Sequence, residues 1–310
     1  MKAGPLHRPV MVDEVLDRLK VPLAGLIVDA TVGGGGHTSA ILGASPGSVV
    51  IGIDRDPEAL EVAEERLEPW SERVELVCAD FRHLPHIAFE RRLWPIRGIV
   101  ADLGVSSLQL DTAERGFSFQ RSGPLDMRMD RSSDRTAADL VNDLDEENLA
   151  CLLRRYGDER YAHRIAKAID AARQRDPIRT TDKLAEIVAA AVPRGPQHIH
   201  PATRTFQALR IAVNNELGGL YEFVLGAARL LAPRGRLVVM TFHSLEDRLV
   251  KQAFRYLASA CVCPPRLPQC VCSKVPEIEI LTPRPQRPRM TEIEANPRAR
   301  SAHLRALERL

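Results

Sequence analysis

The residues with the clearest chemical potential form a glycine-rich segment after a short apolar stretch. Ile27-Val28 leads through Asp29 into Gly33-Gly34-Gly35-Gly36, and His37 follows directly. Glycine can adopt positive φ and lets the backbone lie close to a ligand, and a helix that begins there offers unpaired N–H groups. The pattern predicts a cradle for a nucleotide-type cofactor.

A carboxylate about twenty residues further on strengthens this prediction. Asp54 ends a second apolar run, at residues 49–54, and is placed to accept hydrogen bonds from ribose hydroxyls. Nicotinamide dinucleotides and S-adenosylmethionine both use such a pair of features. The contiguous glycines, with His37 after them, depart from the spaced dinucleotide fingerprint. We therefore expect S-adenosylmethionine.

Two further strand ends carry polar or aromatic residues. Phe81 follows the third predicted strand and could pack on an adenine face, with Asp80 near the amino edge. Asp102 follows the fourth strand, where a group that attacks the methyl would be polarised. Either aspartate could instead only cap a helix, and that alternative stays open.

An alternating pattern of strands and helices must position these residues. Apolar runs predict five strands of a mostly parallel sheet, at residues 27–31, 49–54, 74–79, 99–103 and 237–242. About 130 residues separate the fourth run from the fifth, whereas a crossover needs only about a dozen. The sequence therefore predicts an insert.

The insert is predicted to be helical and to cover residues 111–200, with helices at 137–156, 161–173 and 182–191, the last capped by Thr181-Asp182. A proline-rich stretch at 193–201 ends the insert. Residues 1–110 and 201–310 then form a Rossmann-like domain, which resumes with a long helix at 203–231. A helix at 244–257 is predicted to start at Ser244 with Asp247 three residues later. Residues 301–307 are predicted to form an edge strand, and 283–298 to be flexible.

Composition and charge fit a globular chain. Of its 310 residues, 45% are hydrophobic and 27% are charged, which allows a sizeable core. No apolar run reaches the roughly 18 residues of a membrane helix, and no signal-peptide core is present, so we expect a cytoplasmic protein without a membrane partner. A net charge of +2 is too small to indicate nucleic-acid binding by itself.

Nine unusual strings extend in order along nearly the whole chain: HRPVMVDEV, DATVGGGGH, IDRD, DLGVSS, ERGFSF, GPLDMRM, HPATRTFQALR, FHSLEDR and NPRARS. Together they resemble the family of ribosomal RNA small subunit methyltransferase H. The resemblance implies a class I S-adenosylmethionine-dependent methyltransferase, with a Rossmann-like, mostly parallel sheet and a helical insert subdomain that recognises RNA.

The resemblance also implies an activity. It is methyl transfer to N4 of a cytidine in the decoding region of bacterial 16S rRNA (cytidine 1402 in the usual 16S numbering), within the small ribosomal subunit. A homodimer is a further expectation from the family. The positions that would bind the cofactor are Gly35, Gly36, His37, Asp54, Phe81, Asp102 and Gln109.

The cytosine amino group is a poor nucleophile, because its lone pair is delocalised into the ring. We expect Asp102 and the carbonyl groups of residues 102–105 either to accept hydrogen bonds from this amino group or only to position the cofactor. His243, after the fifth strand, could contact the base or move a proton, or it could be a packing residue.

A cytidine inside an RNA helix must be unstacked before it can react, and such sites combine arginine contacts with aromatic stacking. Candidates lie after the fourth strand and in the helix that returns from the insert: Arg115, Phe117, Phe119, Arg128, Arg204 and Arg210. The alternative is a solvated surface with aromatic core residues.

Four of the six cysteines form two C-x-C pairs: Cys261, Cys263, Cys270 and Cys272. They could make a tetrahedral thiolate site, most simply for zinc, or they could be reduced thiols in a proline-rich loop. A disulfide pair is less expected in a cytosolic protein.

Two other functions stay open on the sequence. One is a nicotinamide dehydrogenase, against which the contiguous glycines count. The other is a noncatalytic RNA-binding ribosome assembly factor that uses a methyltransferase scaffold. Whether free rRNA or an assembled small subunit is the substrate also stays open.

Overall fold

The computed structural model describes residues 9–20, 24–193, 200–264 and 269–310. His7 and Arg8 of the first string, and most of the proline-rich stretch at 193–201, lie outside the described residues. The chain divides into two compact units: Met1–Gly104 with Leu217–Leu310, and Val105–Glu216. The second unit is wider at both ends than the insert predicted at 111–200.

A seven-stranded sheet forms the centre of the first unit. Its strands are β1 Gly25–Asp29, β2 Ser48–Asp54, β3 Val74–Cys78, β4 Ile96–Asp102, β5 Leu231–Thr241, β6 Ile278–Ile280 and β7 His303–Arg309. Their order in the sheet is β3-β2-β1-β4-β5-β7-β6. Strands β1 to β5 pair in parallel, whereas β7 is antiparallel to both β5 and β6. The predicted Rossmann-like, mostly parallel sheet is confirmed.

One strand position was predicted wrongly. The last strand was expected at the sheet edge, but β7 lies between β5 and β6. The three residues of β6 add to its far side, with Ile278 opposite Arg309 and Ile280 opposite Leu307. So short a strand gives little periodic signal, and for this reason the sequence pattern missed it.

Thirteen α-helices occur within the described residues. The first unit contains α1 Val12–Leu19, α2 Gly36–Ala44, α3 Pro57–Leu67 and α4 Leu84–Arg91. The second contains α5 Ser107–Asp111, α6 Ala137–Asp143, α7 Glu146–Gly157, α8 Ala162–Arg173, α9 Thr181–Ala191 and α10 Thr203–Asn214. The first unit resumes with α11 Leu220–Leu230, α12 Ser244–Ala258 and α13 Met290–Ala295. None of the described helices is long and apolar enough to cross a membrane.

Strand residues alternate between two buried faces of the sheet. Ile27 and Val50 pack in one cluster with residues of α1, α2 and α3. Their neighbours Val28 and Ile51 pack in another cluster with residues of α4, α11 and α12. Because successive side chains of a strand point to opposite faces, helices on both faces require continuous apolar runs. This burial explains the apolar stretches of the sequence.

The chain direction across the sheet reverses beside β1. Strand β1 has β2 on one side and β4 on the other, so the connections that leave β1 and β4 diverge. In open α/β sheets, ligands bind in the crevice at such a switch point, beyond the carboxyl ends of the strands. The ends of β1 and β4 carry Asp29 and Asp102.

Two helices predicted as continuous are each divided. The predicted helix at 137–156 forms α6 and α7, because the Asp145 carboxylate accepts the N–H of Asn148 and starts a new helix. The predicted helix at 203–231 forms α10 and α11, which belong to different units. Asn215 and Gly219 between them have φ of 47° and 74°, which no α-helix accommodates.

Smaller corrections concern helix starts and the C-terminal segment. The cap of α12 is His243, not Ser244, and the cap position of α9 is Thr180. The segment at 283–298, predicted to be flexible, contains α13 and is tied to the N-terminal region, where the N–H of Met11 donates to Glu292 at 2.7 Å. Flexibility of the whole segment stays a prediction.

Candidate functional site

The loop from β1 to α2 owes its shape to its glycines. Gly33 and Gly35 have φ of +50° and +76°. A Cβ on Gly35 would lie 3.1 Å from Leu67, and one on Gly36 would lie 3.0 Å from Pro9. The loop therefore presents bare backbone and the N-terminus of α2 beside the switch point, as a cofactor cradle requires.

Asp54, at the end of β2, anchors this loop. Its Oδ2 accepts the N–H of Gly33 at 2.8 Å, and its Oδ1 accepts the N–H of Asp56 at 2.9 Å. Burial raises the pKa of Asp54, and these two backbone donors offset part of that rise. Each carboxylate oxygen has a second lone pair, so the group can still accept hydroxyl donors from a ligand.

Asp29 ties the glycine loop to the end of β4. Its Oδ2 accepts the Thr38 hydroxyl at 2.7 Å, and its Oδ1 accepts the N–H of Thr31 at 3.2 Å. The Thr31 hydroxyl in turn accepts the N–H of Asp102 at 2.6 Å. Burial raises the pKa of Asp29 to about 6, against the opposing effect of the nearby His37.

His37 and Asp102 meet at the switch point, with 3.5 Å between Nε2 and Oδ2. Burial lowers the pKa of His37, but Asp102 and Asp29 outweigh burial, so the net shift is upward. Among the described residues, neither ring nitrogen of His37 nor Oδ1 of Asp102 has a hydrogen-bond partner. Buried polar atoms without partners are costly, and a polar ligand bound at the switch point could satisfy them.

The carboxylate of Asp80 is occupied by contacts with Arg82. It accepts the N–H of Arg82 at 2.9 Å and forms a two-point ion pair with the same guanidinium, at 2.7 and 2.5 Å. Burial raises the pKa of Asp80, but Arg82 reverses this effect and leaves it below the ordinary value. Arg82 also donates to the carbonyl of Gly218, before α11. The capping alternative is favoured for Asp80.

Phe81 lies beside this ion pair and is half-buried. Its ring meets that of Phe223 edge to face, with 4.7 Å between centroids. Such a contact fixes the orientation of the Phe81 ring. The guanidinium carbon of Arg82 lies over the same ring, 6.0 Å from its centroid. The geometry is compatible with the predicted adenine platform.

His243 holds the start of α12. Its Nδ1 accepts the N–H of Glu246 at 3.4 Å, and Glu246 Oε2 accepts the N–H of Phe242 at 2.9 Å. Nε2 of His243 lies 3.1 Å from Glu246 Oε1 without hydrogen-bond geometry. Glu246 was missed as a partner of His243, although the spacing of a cap residue and a glutamate three residues later was a usable signal.

In the second unit, two predicted RNA contacts are buried. Arg115 is 1% exposed and donates to the carbonyls of Arg128 and Met129, at 3.0 and 2.8 Å. Phe117 is 6% exposed and belongs to the core of the same unit. Neither side chain is presented to solvent in this structure, so RNA contact by these two residues stays a prediction that burial does not favour.

The other predicted RNA residues are partly exposed but have intramolecular partners. Arg128 pairs with Asp126, and Arg210 with Glu216, each at 2.8 Å. Two further contacts complete the set: Arg204 donates to the carbonyl of Asp158, and the Phe119 ring lies 4.6 and 4.9 Å from the rings of His200 and Phe206. RNA contact by these four residues stays a prediction.

The remaining predicted site residues lie elsewhere. Gln109 is buried in the second unit, where it forms a reciprocal cap with Ser106 at the start of α5. The four cysteines Cys261, Cys263, Cys270 and Cys272 lie together between α12 and β6, with their sulfur atoms within 4.8 Å of one another. The first unit brings together the glycine loop, His37, Asp54 and Asp102.

Comparison with known proteins gives consistent matches along the chain. Residues 5–310 match the family model described as the MraW methylase family. A relative from Geobacter sulfurreducens, named ribosomal RNA small subunit methyltransferase H, is 53% identical over 98% of this chain and 99% of its own length. A protein of the same name from Symbiobacterium thermophilum is 50% identical over 98% of this chain and 96% of its own.

Solved structures are more distant. An rRNA methylase from Streptococcus thermophilus covers 99% of both chains, with 14% sequence identity and a TM-score of 0.41.

Proposed function

The chain belongs to the MraW methylase family, and from this premise we propose that it methylates N4 of a cytidine in 16S rRNA with S-adenosylmethionine as donor. The observation that supports this most is full-length similarity to relatives named ribosomal RNA small subunit methyltransferase H. Membership of a methylase family argues against a nicotinamide dehydrogenase. We further propose the decoding-region cytidine of the assembled small subunit, in the cytoplasm, as the target.

The residues of the first unit fit the proposed cofactor. Bound S-adenosylmethionine supplies an electrophilic methyl group on a sulfonium. The backbone of Gly33–Gly36 gives room and N–H donors, and the remaining lone pairs of Asp54 accept ribose hydroxyls. The Phe81 ring offers a face for adenine. Gln109, which family resemblance adds to this set, lies in the second unit, so its contact stays a proposal.

Asp102 is the residue we propose to act on the cytidine. Its Oδ1 has no partner among the described residues, so it can accept a hydrogen bond from the amino group and concentrate electron density on N4. When the N–C bond forms and the C–S bond breaks, N4 must lose one proton, and the same carboxylate can take it. His37 lies beside the other oxygen, where its raised pKa favours a cation that holds Oδ2 in place.

In this proposal His243 positions the loop after β5 and does not transfer a proton. Its Nδ1 is engaged at the start of α12, which leaves Nε2 alone for any contact with the base. The buried pair of His243 and Glu246 therefore fixes the loop after β5. We propose it as a positioning residue.

For RNA recognition we favour exposed cations of the second unit. Arg121 and Arg131 are exposed and lie in the same segment as the buried Arg115. Phosphate contacts need accessible donors, and charge reversal at such a residue should weaken RNA binding and reduce its salt dependence. Arg121 already donates to the carbonyl of Asp111 at 3.3 Å, and like Arg128, Arg204 and Arg210 it would contact phosphate through its remaining donors.

The proposed function is tested with labelled S-adenosylmethionine and either naked 16S rRNA or small subunits that lack the modification. Mass spectrometry of nuclease fragments should find the label on N4 of one cytidine. RNA binding without any methyl transfer would instead indicate a noncatalytic assembly factor. Light scattering on the same preparation tests the proposed homodimer.

The same assay distinguishes a catalytic role of Asp102 from a role in positioning the cofactor. Asp102→Asn and Asp102→Ala should lower kcat by about 100-fold or more, as loss of a charge-stabilising group typically does. Asp17→Asn removes an exposed carboxylate of α1 and serves as the matched control. If Asp102→Ala weakens only cofactor affinity and leaves turnover intact, Asp102 positions the cofactor and does not accept from the amino group.

A further inference from the structure

The segment between α12 and β6 holds a cluster that the proposed methyl transfer does not use. Two sulfur atoms approach Sγ of Cys261, that of Cys270 at 3.4 Å and that of Cys272 at 3.8 Å. The Sγ of Cys270 also lies 3.6 Å from Cys272 and 3.9 Å from Cys263. Four sulfur atoms from two C-x-C arms thus surround one point.

These separations match a tetrahedral metal–thiolate site. A zinc–sulfur bond of about 2.3 Å places the sulfur atoms of a tetrahedron about 3.8 Å apart. The four separations above, from 3.4 to 3.9 Å, are close to this value. A disulfide would instead bring one pair of sulfur atoms to about 2.0 Å.

Backbone N–H groups of each arm point at the sulfur atoms. The N–H of Val262 donates to Cys272, and that of Val271 donates to Cys263, at 3.4 and 3.5 Å. A third bond joins the N–H of Cys263 to Cys261. Donors of this kind stabilise the negative charge of metal-bound thiolates and fix their orientation. The two arms are therefore cross-linked around the centre by hydrogen bonds.

The C-terminal end of the segment is anchored, whereas the described residues of the cysteine loop, 259–264 and 269–273, contribute no side chain to a buried apolar cluster. The N–H of Glu277 donates to Leu257 of α12, and its carboxylate pairs with Arg229 and Lys274. Within the arms, the apolar side chain of Val271 is 76% exposed. A segment this short cannot be held by burial alone, and a metal ion is a common substitute.

From this geometry we propose that Cys261, Cys263, Cys270 and Cys272 bind one zinc ion in a closed tetrathiolate site. Four protein ligands leave no open coordination position, so the ion stabilises this loop and takes no part in methyl transfer. Sulfur-only ligation favours zinc over oxygen-preferring ions such as magnesium. This site is independent of the proposed RNA substrate.

The test is metal analysis of the full chain, expressed with added zinc and purified without chelators. We expect about one zinc per chain for the native sequence. The variant C270S/C272S should lose at least about nine-tenths of that zinc. C78S/C151S is the matched control, because it removes the two cysteines outside the cluster, and it should retain the metal.

A second readout does not depend on the variants folding. Native chain stripped of metal and titrated with cobalt(II) should develop the ligand-field and thiolate charge-transfer absorption of tetrahedral cobalt, and added zinc should displace it. Zinc should also raise the melting temperature of the stripped chain. The proposal is overturned by a native chain that takes up neither ion, by an intact mass that shows disulfides among these cysteines, or by equal zinc loss in C78S/C151S.

Discussion

Replacing the four consecutive glycines by alanine, one at a time, separates backbone strain from crowding. Gly33 has positive φ but open space around a Cβ, and Gly36 has crowding from Pro9 at 3.0 Å without positive φ. Gly35 has both, with φ +76° and contacts of 3.1 and 3.2 Å to one side chain of α3. Gly34 has neither, since its Cβ would make only an ordinary 3.4 Å contact.

The expected losses in the free energy of unfolding follow from these four environments. Positive φ costs a residue with a Cβ about 1–2 kcal/mol, which is the prediction for Gly33→Ala. Crowding against the Pro9 ring, which is closed onto its own backbone, costs about 1–3 kcal/mol, the prediction for Gly36→Ala. Gly35→Ala combines strain with a contact inside the packed face of α3 and should lose about 2–4 kcal/mol. Gly34→Ala should stay within about 0.5 kcal/mol of the native chain.

Urea unfolding of the four variants, followed by circular dichroism, measures these values directly. The slopes with denaturant should remain equal, so that midpoints report stability alone. The reasoning fails if Gly34→Ala loses as much stability as Gly35→Ala, or if Gly33→Ala loses none. In either case the loop would not have the backbone described above.

Three further predictions concern other buried groups. Burial raises the pKa of Asp29 to about 6 from 3.8, so its protonated form is favoured in the folded state. Relative to Asp29→Asn, the native chain should therefore lose about 2.5 kcal/mol of stability as pH rises from 4 to 7, and a pH-independent difference between the two chains in urea unfolding would contradict this. Arg115→Met should cost about 2–3 kcal/mol in unfolding free energy, because two carbonyls lose a charged donor. In filter-binding titrations it should leave the salt dependence of RNA binding unchanged, whereas a reduced salt slope would indicate that Arg115 contacts RNA. Phe81→Leu removes the ring contact with Phe223 and should lose about 1 kcal/mol of stability. In calorimetry it should also weaken the binding of S-adenosylhomocysteine, whereas unchanged affinity would exclude Phe81 as an adenine platform.

Much of the cofactor region could be predicted because its signals are local. Glycines that need positive φ, and a carboxylate that ends an apolar strand, are visible in a few consecutive residues. Asp54 was predicted at a strand end and is found there, and the five parallel strands were predicted from apolar runs that burial on both faces requires. Long unusual strings indicate the family from the sequence alone.

The features that the sequence did not reveal depend on distant partners. Arginine is usually a surface residue, but the guanidinium of Arg115 is buried and donates to carbonyls 13 and 14 residues away. The strand β7 was predicted at the edge of the sheet because the three residues of β6, which pair with it, are too few to give a periodic sequence pattern. The helix break before α11 depends on Asn215 and Gly219 adopting positive φ, which a propensity pattern does not resolve.

By itself, the sequence determined the fold class, the family and the cofactor loop, because periodicity and glycine chemistry act over short stretches of chain. Only the tertiary structure decided which polar atoms are left without partners. It put Nε2 of His37 3.5 Å from Asp102, committed Asp80 to Arg82, and gathered four cysteine sulfur atoms around one point. Burial and pairing are properties of the whole packed chain, and the chemistry of each group follows from them.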